Sequence, residues 1–303
     1  MARIAYTEPN FRGSSLEMIQ QADQIARAYA AQGYTLTLRQ LYYQFVARDL
    51  LANKEQSYDK LGRLVSEGRL AGLIDWAHIV DRTRSSEGVA HWDSPQAIMD
   101  AVASQFRIDK WAGQRNRPEV WVEKEALVDV VATPARRHDL RWFACRGYAS
   151  QSSQHEAGMR FVEMIRDGQH PVILHLGDHD PSGIDMTRDI TDRINLFVEF
   201  HTGETVEVQR LALNMDQIRR LNPPPNPAKA TDARFEGYRA RFGSLSWELD
   251  ALDPPAIDRI VTDAVEALRD DEPWDTAVAS EDEQRHLLAE VSAQWERVVE
   301  TLS

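Results

Sequence analysis

The segment PVILHLGDHDPSGIDM, residues 171–186, sets the tightest limit on what this chain can fold into. Its apolar run Val172-Ile173-Leu174 suits a buried strand, and the run stops at two aspartates one residue apart, Asp178 and Asp180. Pro181, Ser182 and Gly183 then break the extended pattern before a helical period begins. Carboxylates buried without partners cost several kcal/mol each, so the strand must carry both to the edge of a sheet, where water or a cation meets them.

The surrounding sequence supplies that sheet. Val120-Trp121-Val122 predicts a strand ending at Glu123, Ala126 to Val131 a helix, Trp142 to Cys145 a strand and Ser153 to Ile165 a helix. After the Asp178 strand come a helix from Ser182 to about Phe200, a strand at Thr205 to Leu213 and a short helix at Met215 to Leu221. Four strand–helix alternations predict an α/β unit with a mostly parallel sheet, helices on its faces and ligands at the carboxyl ends of its strands. Glu123, Asp178 and Asp180 would then share one edge.

Upstream, Met18, Ile19, Ala22, Ile25, Ala26 and Tyr29 recur at helical spacing between Ser15 and Ala31, and Gly33 ends that helix. A second helix follows Thr35 through LTLRQLYYQFVARDLL, a third covers Ser57 to Gly68, and residues 71–82 read as short extended pieces. Three helices and a small β element follow the order of a winged-helix domain, and a plain helical bundle fits the pattern as well. Residues 91–118 form a connector with one helix from Pro95 to Phe106. Downstream of residue 222, NPPPNP marks a loop. Trp247-Glu248-Leu249 suggests a last strand, Pro255 to Leu268 a helix, and a final amphipathic helix from about Glu281 aligns Leu287, Leu288, Val291, Trp295, Val298, Val299 and Leu302. The units expected are 1–90, 119–222 and a C-terminal extension, 223–303.

Charge divides along the same lines. The chain of 303 residues carries a net charge of −13, yet residues 1–118 hold 15 Lys and Arg against 13 Asp and Glu, and the remainder 20 against 35. A near-neutral, arginine-bearing front before an acidic back is compatible with a nucleic-acid module ahead of a metal-binding one. The one cysteine, Cys145, excludes an internal disulfide and fits the cytoplasm. No run resembles a signal peptide or reaches the roughly 20 apolar residues of a membrane span, so a protein without membrane association is expected.

Three carboxylates on one sheet edge suit Mg2+, with Mn2+ as a substitute, acting on a phosphoester. Competing explanations exist for parts of the set. Asp178, Asp180, Ser182 and Gly183 imitate half an EF-hand loop, although Pro181 intrudes and Asp189 stands where Glu should close it. Asp180 or Ser182 could simply cap the next helix, and Ser182 with Asp185 has capping-box spacing. His175 and His179 flank the site at strand spacing, which does not favour a zinc pair over core or solvated histidines.

VWVEKEA at 120–126 and GDHDPSGIDM at 177–186 resemble the glutamate and DxDPxG motifs of Toprim domains, in the form carried by the A subunit of DNA topoisomerase VI and the meiotic double-strand-break transesterases. The resemblance implies a winged-helix domain followed by a Rossmann-like Toprim domain, with Glu123, Asp178 and Asp180 as the metal ligands. That family also carries a nucleophilic tyrosine in an Arg-x-x-Tyr-Tyr motif, which LRQLYY at 38–43 is similar to. On this helix Leu38, Leu41, Tyr42, Phe45 and Val46 form the buried stripe, which places Tyr42 in the core, points Tyr43 elsewhere and sets Arg39 on the face of Tyr43. The matching position makes Tyr43 the nucleophile and Arg39 its helper.

The function expected is thus Mg2+-dependent cleavage of double-stranded DNA by tyrosine transesterification, in a homodimer where the tyrosine of one protomer serves the metal site of the other. A phenol with a pKa near 10 needs a neighbouring cation or base to attack at neutral pH. The alternatives are a Toprim nuclease using water and a non-catalytic dimeric DNA-binding protein. With no Walker loop in the chain, strand passage would need a separate ATPase subunit of the B type; the location expected is the cytoplasm, on the nucleoid.

Overall fold

The structure is a computed structural model that describes residues 3–80 and 89–302. Its centre is a four-stranded sheet of β1 (Asn116–Val122), β2 (Arg141–Ala144), β3 (His170–Leu176) and β4 (Glu207–Ala212). All neighbouring pairs are parallel, in the order β2-β1-β3-β4. The alternating strand and helix pattern thus gives the expected parallel α/β unit. Because the chain runs outward from β1 to β2 and then crosses back to β3, the direction of winding reverses between β1 and β3, where the carboxyl ends of neighbouring strands leave a crevice.

Residues alternate between the two faces with the period of a strand. Val120, Val122, Val172, Leu174 and Leu176 pack with α5 (Val128–Arg137) and α10 (Pro254–Leu268), together with Trp111, Trp247 and Trp274. Trp121 and Ile173 face the other way, into a core made by α6 (Gln151–Arg166) and α7 (Pro181–Thr202). Burial on both faces explains why these strands read as continuous apolar runs. Glu119 is the exception: 2% exposed on β1, it accepts two hydrogen bonds from Arg160 of α6, at 2.7 and 2.8 Å.

The N-terminal unit packs α1 (Gly13–Ala30), α2 (Leu38–Ala47) and α3 (Glu55–Leu70) around Ile19, Leu36, Leu41, Phe45 and Leu61. Its β element is a single bridge between Leu36 and Ile79. No two-stranded wing occurs among the described residues; the end of the expected extended pieces, Asp81 and Arg82, lies outside them. The connector helix α4 (Pro95–Gln105) follows, capped by Ser94 and lying against the C-terminal helix α11 (Asp271–Ala293).

The C-terminal extension departs most from expectation. Trp247-Glu248-Leu249 is not a strand: Trp247 makes one antiparallel bridge to His179, and Leu249–Ala251 turn as a 3-10 helix. The backbone turns there because the N–H of Leu249 donates to Asp178 Oδ1 at 2.8 Å. The short helix α8 (Met215–Leu221) ends where NPPPNP begins, and within that run β5 (Asn226–Pro227) pairs with β6 (Leu245–Ser246) as a two-residue ladder on either side of α9 (Phe235–Phe242). The helix expected from Glu281 begins ten residues earlier, at Asp271, where Asp270 caps it, and it breaks before α12 (Trp295–Leu302). The side chains of Val298, Val299 and Leu302 lie outside the described set. Among the described residues no helix is long and apolar enough to cross a membrane.

Replacing Arg160 with alanine leaves the Glu119 carboxylate buried without its partner, which costs about 3 kcal/mol. Chemical denaturation should show that loss, and adding Glu119→Gln should recover part of it.

Candidate functional site

At the crevice, the turn from β3 into α7 is held by close backbone approach. A Cβ on Gly183 would lie 2.2 Å from the carbonyl oxygen of Asp178, and one on Gly177 would lie 2.9 Å from Glu123 Oε2. At Gly183 the neighbour is backbone and only glycine leaves room, whereas at Gly177 a Cβ would push the Glu123 carboxylate aside. Asp180 is the N-cap of α7, its Oδ1 accepting from the N–H of Gly183 at 2.6 Å and from the hydroxyl of Ser182 at 3.0 Å. Capping therefore accounts for one oxygen of Asp180 and corrects the alternative in which Ser182 caps. Beneath the turn, Arg210 of β4 donates to the carbonyls of Asp178 (2.6 Å), Gly183 (2.9 Å) and Gly177 (3.2 Å).

Glu123 follows β1 and reaches across to the neighbouring strand end, where its Oε2 accepts from the N–H of Asp178 at 2.9 Å. Glu123 is 8% exposed and Asp178 7%. Burial pushes both carboxyls above their usual range, and for Glu123 the neighbouring Asp178 pushes further; Lys124 pulls Asp178 back. His175 and His179 are core residues, bonded to the hydroxyls of Thr187 and Tyr238 and held by burial well below the ordinary imidazole pKa.

Lys124 Nζ lies 2.8 Å from Asp178 Oδ2 and 3.0 Å from both Glu248 Oε2 and Asp250 Oδ2. Glu248 and Asp250 sit in the C-terminal extension, and sequence reasoning missed both, as it missed the placement of Lys124. Asp250 is 1% exposed, and its second oxygen, Oδ1, has no hydrogen-bond partner among the described residues. Arg39 of α2 binds Glu248, with its Nε 3.0 Å from Oε2, and lies 3.3 Å from Asp250.

Tyr43 meets the same cluster. Its ring lies under the Arg39 guanidinium, 5.8 Å from the centroid, and its hydroxyl oxygen accepts from Asn226 Nδ2 at 3.4 Å. The expectation of one buried and one outward tyrosine needs correction, since Tyr42 is 5% exposed and Tyr43 3%. The face of α2 that carries Tyr43 is covered by Asn226 and Glu248. Burial, with Glu248 beside it, pushes the Tyr43 phenol up to about 12, against the pull of Asn226, Arg39 and Lys124.

One cleft of ≈ 1030 Å³ is lined by Arg39, Tyr43, Glu123, Asp178, Asp180 and Glu248, among others. It thus brings together the five residues expected to form the site, Arg39, Tyr43, Glu123, Asp178 and Asp180. Small-molecule sites run roughly 300–1,000 Å³ and are mostly apolar. This cleft is at the upper end and heavily charged, with Lys54, Arg146 and Lys229 around it. Among the described residues, no three acidic, histidine or cysteine side chains are already gathered into a cation cage. The carboxylate oxygens of Glu123, Asp178 and Asp180 are nonetheless the donor type that suits a hard dication, and Lys124 holds the neighbouring Glu248 and Asp250. The raised carboxyls of Glu123 and Asp178 reflect their burial first, with Asp178 adding to the shift of Glu123.

Comparison with family models, with curated proteins and with solved structures finds no match.

An acid whose folded pKa is raised favours the folded state most below its unfolded value, and that contribution is lost as pH rises through the folded value. For Glu123 the window runs from 4.5 to about 7. The melting temperature should fall across it by on the order of 2–4 °C, the shift that about 1 kcal/mol produces in a domain of this size. Glu123→Gln should flatten the fall, and Mg2+ should reverse it at pH 8 in the unmutated protein.

Proposed function

We propose that this protein cleaves double-stranded DNA with a divalent metal ion, through a covalent phosphotyrosyl link made by Tyr43. The observation that carries the reading is the single cleft in which Tyr43 and Arg39 face Glu123, Asp178 and Asp180. The order of the chain supports it: three N-terminal helices, then a parallel α/β unit whose strand ends carry the EK and DxDPxG sequences that resemble Toprim motifs.

Glu123, Asp178 and Asp180 would hold the metal, which supplies charge neutralisation at the phosphate and at the departing oxygen. The remaining work belongs to the chain. The Tyr43 oxygen forms a bond to phosphorus while the bond from phosphorus to the deoxyribose oxygen breaks, and the phenolic proton ends on that departing oxygen. Water is not consumed, so the hydroxyl left behind can re-attack and reseal the strand. Arg39 lies over the ring, and Asn226 donates to the phenolic oxygen; both favour the phenolate. Lys54, Arg146 and Lys229 offer cations to backbone phosphates.

The burial of Tyr43 and its phenol at about 12 favour a second reading, in which the carboxylates serve a metal-dependent nuclease that activates water.

Denaturing gels of end-labelled duplex DNA incubated with the protein and Mg2+ or Mn2+ separate the two. A covalent protein–DNA adduct is expected, reduced by about 10³-fold or more in Tyr43→Phe and kept in Tyr42→Phe. Cleavage to free ends that persists in Tyr43→Phe selects the nuclease, and DNA left intact with both metals overturns both readings.

A further inference from the structure

We infer that the hollow beside Trp76 on the N-terminal unit binds one nucleotide of an unpaired DNA strand, with its phosphate on Arg69 and its base stacked on Trp76. The inference deepens the DNA reading above and rests on it for the identity of the strand. It uses neither Tyr43 nor the carboxylates, so it holds whichever protomer completes the large cleft.

Local structure sets the two side chains against each other. Val65 and Arg69 lie four residues apart on α3 and therefore share a face. After α3 the chain turns back. The bridge from Leu36 to Ile79, and the N–H of Ala77 donating to Asp75 Oδ1 at 2.9 Å, fix the turn that bears Trp76. Between helix and turn lies a cavity of ≈ 390 Å³ with Leu38, Val65, Ile79 and Val80 in its walls. That volume falls within the roughly 300–1,000 Å³ of small-molecule sites. Arg39 borders both this cavity and the large cleft, so a strand in one passes the other.

Arg69 distinguishes the hollow from an ordinary surface dent. Its Nε and Nη2 are shielded from water without a hydrogen-bond partner, and among the described residues no carboxylate pairs with it. Burial alone acts on its pKa, lowering it, with no counter-charge to oppose the shift. A cation so placed costs free energy until an anion meets it. Nε and Nη2 also form one edge of the guanidinium, the fork that fits two oxygens of a phosphate. The guanidinium carbon lies 5.2 Å from the centroid of the Trp76 ring, and Trp76 is 45% exposed. Turning that ring uncovers the fork and offers an aromatic face to whatever the anion carries. A half-exposed indole beside aliphatic walls suits a flat apolar group, and a phosphate joined to such a group is a nucleotide. Bases within a duplex are already stacked, so the nucleotide that fits is an unpaired one.

Fluorescence anisotropy of a labelled oligothymidylate of about eight nucleotides, measured in EDTA so that no cleavage intervenes, tests the site. Trp76→Ala and Arg69→Met should each weaken binding by about tenfold. A fully paired duplex should lose far less affinity in either variant, and thymidine monophosphate should compete where inorganic phosphate at the same concentration does not. Arg69→Met should melt at or above the wild-type temperature, because it removes an unpaired buried charge. Unchanged binding in both variants, equal losses for strand and duplex, or competition by phosphate as strong as by the nucleotide would each overturn the inference. So would a clear fall in the melting temperature of Arg69→Met, the mark of a guanidinium that serves the fold alone. Protein that binds the strand through this site yet leaves DNA uncut with Mg2+ keeps the site and removes the cleavage reading.

Discussion

The ammonium of Lys124 is the point on which the arrangement of this molecule turns. It lies against Asp178 from the sheet, and against Glu248 and Asp250 from the C-terminal extension. Through Glu248 and Asp250 it is joined to Arg39 of the tyrosine helix. The buried members, Asp178 and Asp250, are tolerated as charges only when paired, and Lys124 is a counter-charge to both. Three parts of the chain that are distant in sequence are therefore committed to one another at one place.

The sheet edge was legible in the sequence because its signals are local. A buried strand shows as an apolar run, and an aspartate pair followed by Pro-Ser-Gly shows where it must stop; Glu123 is marked the same way after Val120-Trp121-Val122. Glu248 and Asp250 carry no such mark. They sit in an alternating stretch that reads as a strand, and what bends it is Asp178, some seventy residues upstream. The exposure of Tyr43 was misjudged for the same reason. Helical periodicity reports the face that packs within its own unit, and Tyr43 is covered by residues from another. The start of α11 was misplaced because its first turns carry acidic residues in place of an apolar stripe, although Asp270 and Pro273 are good starting signals.

Asp180 shows how one side chain can satisfy two accounts. As an N-cap it fixes the start of α7, and its position beside Glu123 and Asp178 in the cleft wall still suits a metal ligand. The two roles support each other, since a carboxylate tethered to a helix terminus has little freedom left to lose on meeting a cation.

Arg210 gives the cleft a mechanical asymmetry. Its guanidinium stitches together the carbonyls of Gly177, Asp178 and Gly183, so the ends of β3 and β4 and the start of α7 behave as one anvil. On the opposite wall Asn226 meets Tyr43 and Glu248 at 3.4 and 3.5 Å and Asn53 at 2.7 Å, one side-chain bond to each. A change at Arg210 would therefore loosen three backbone segments together, whereas a change at Asn226 would remove single side-chain bonds and leave the strand ends in register.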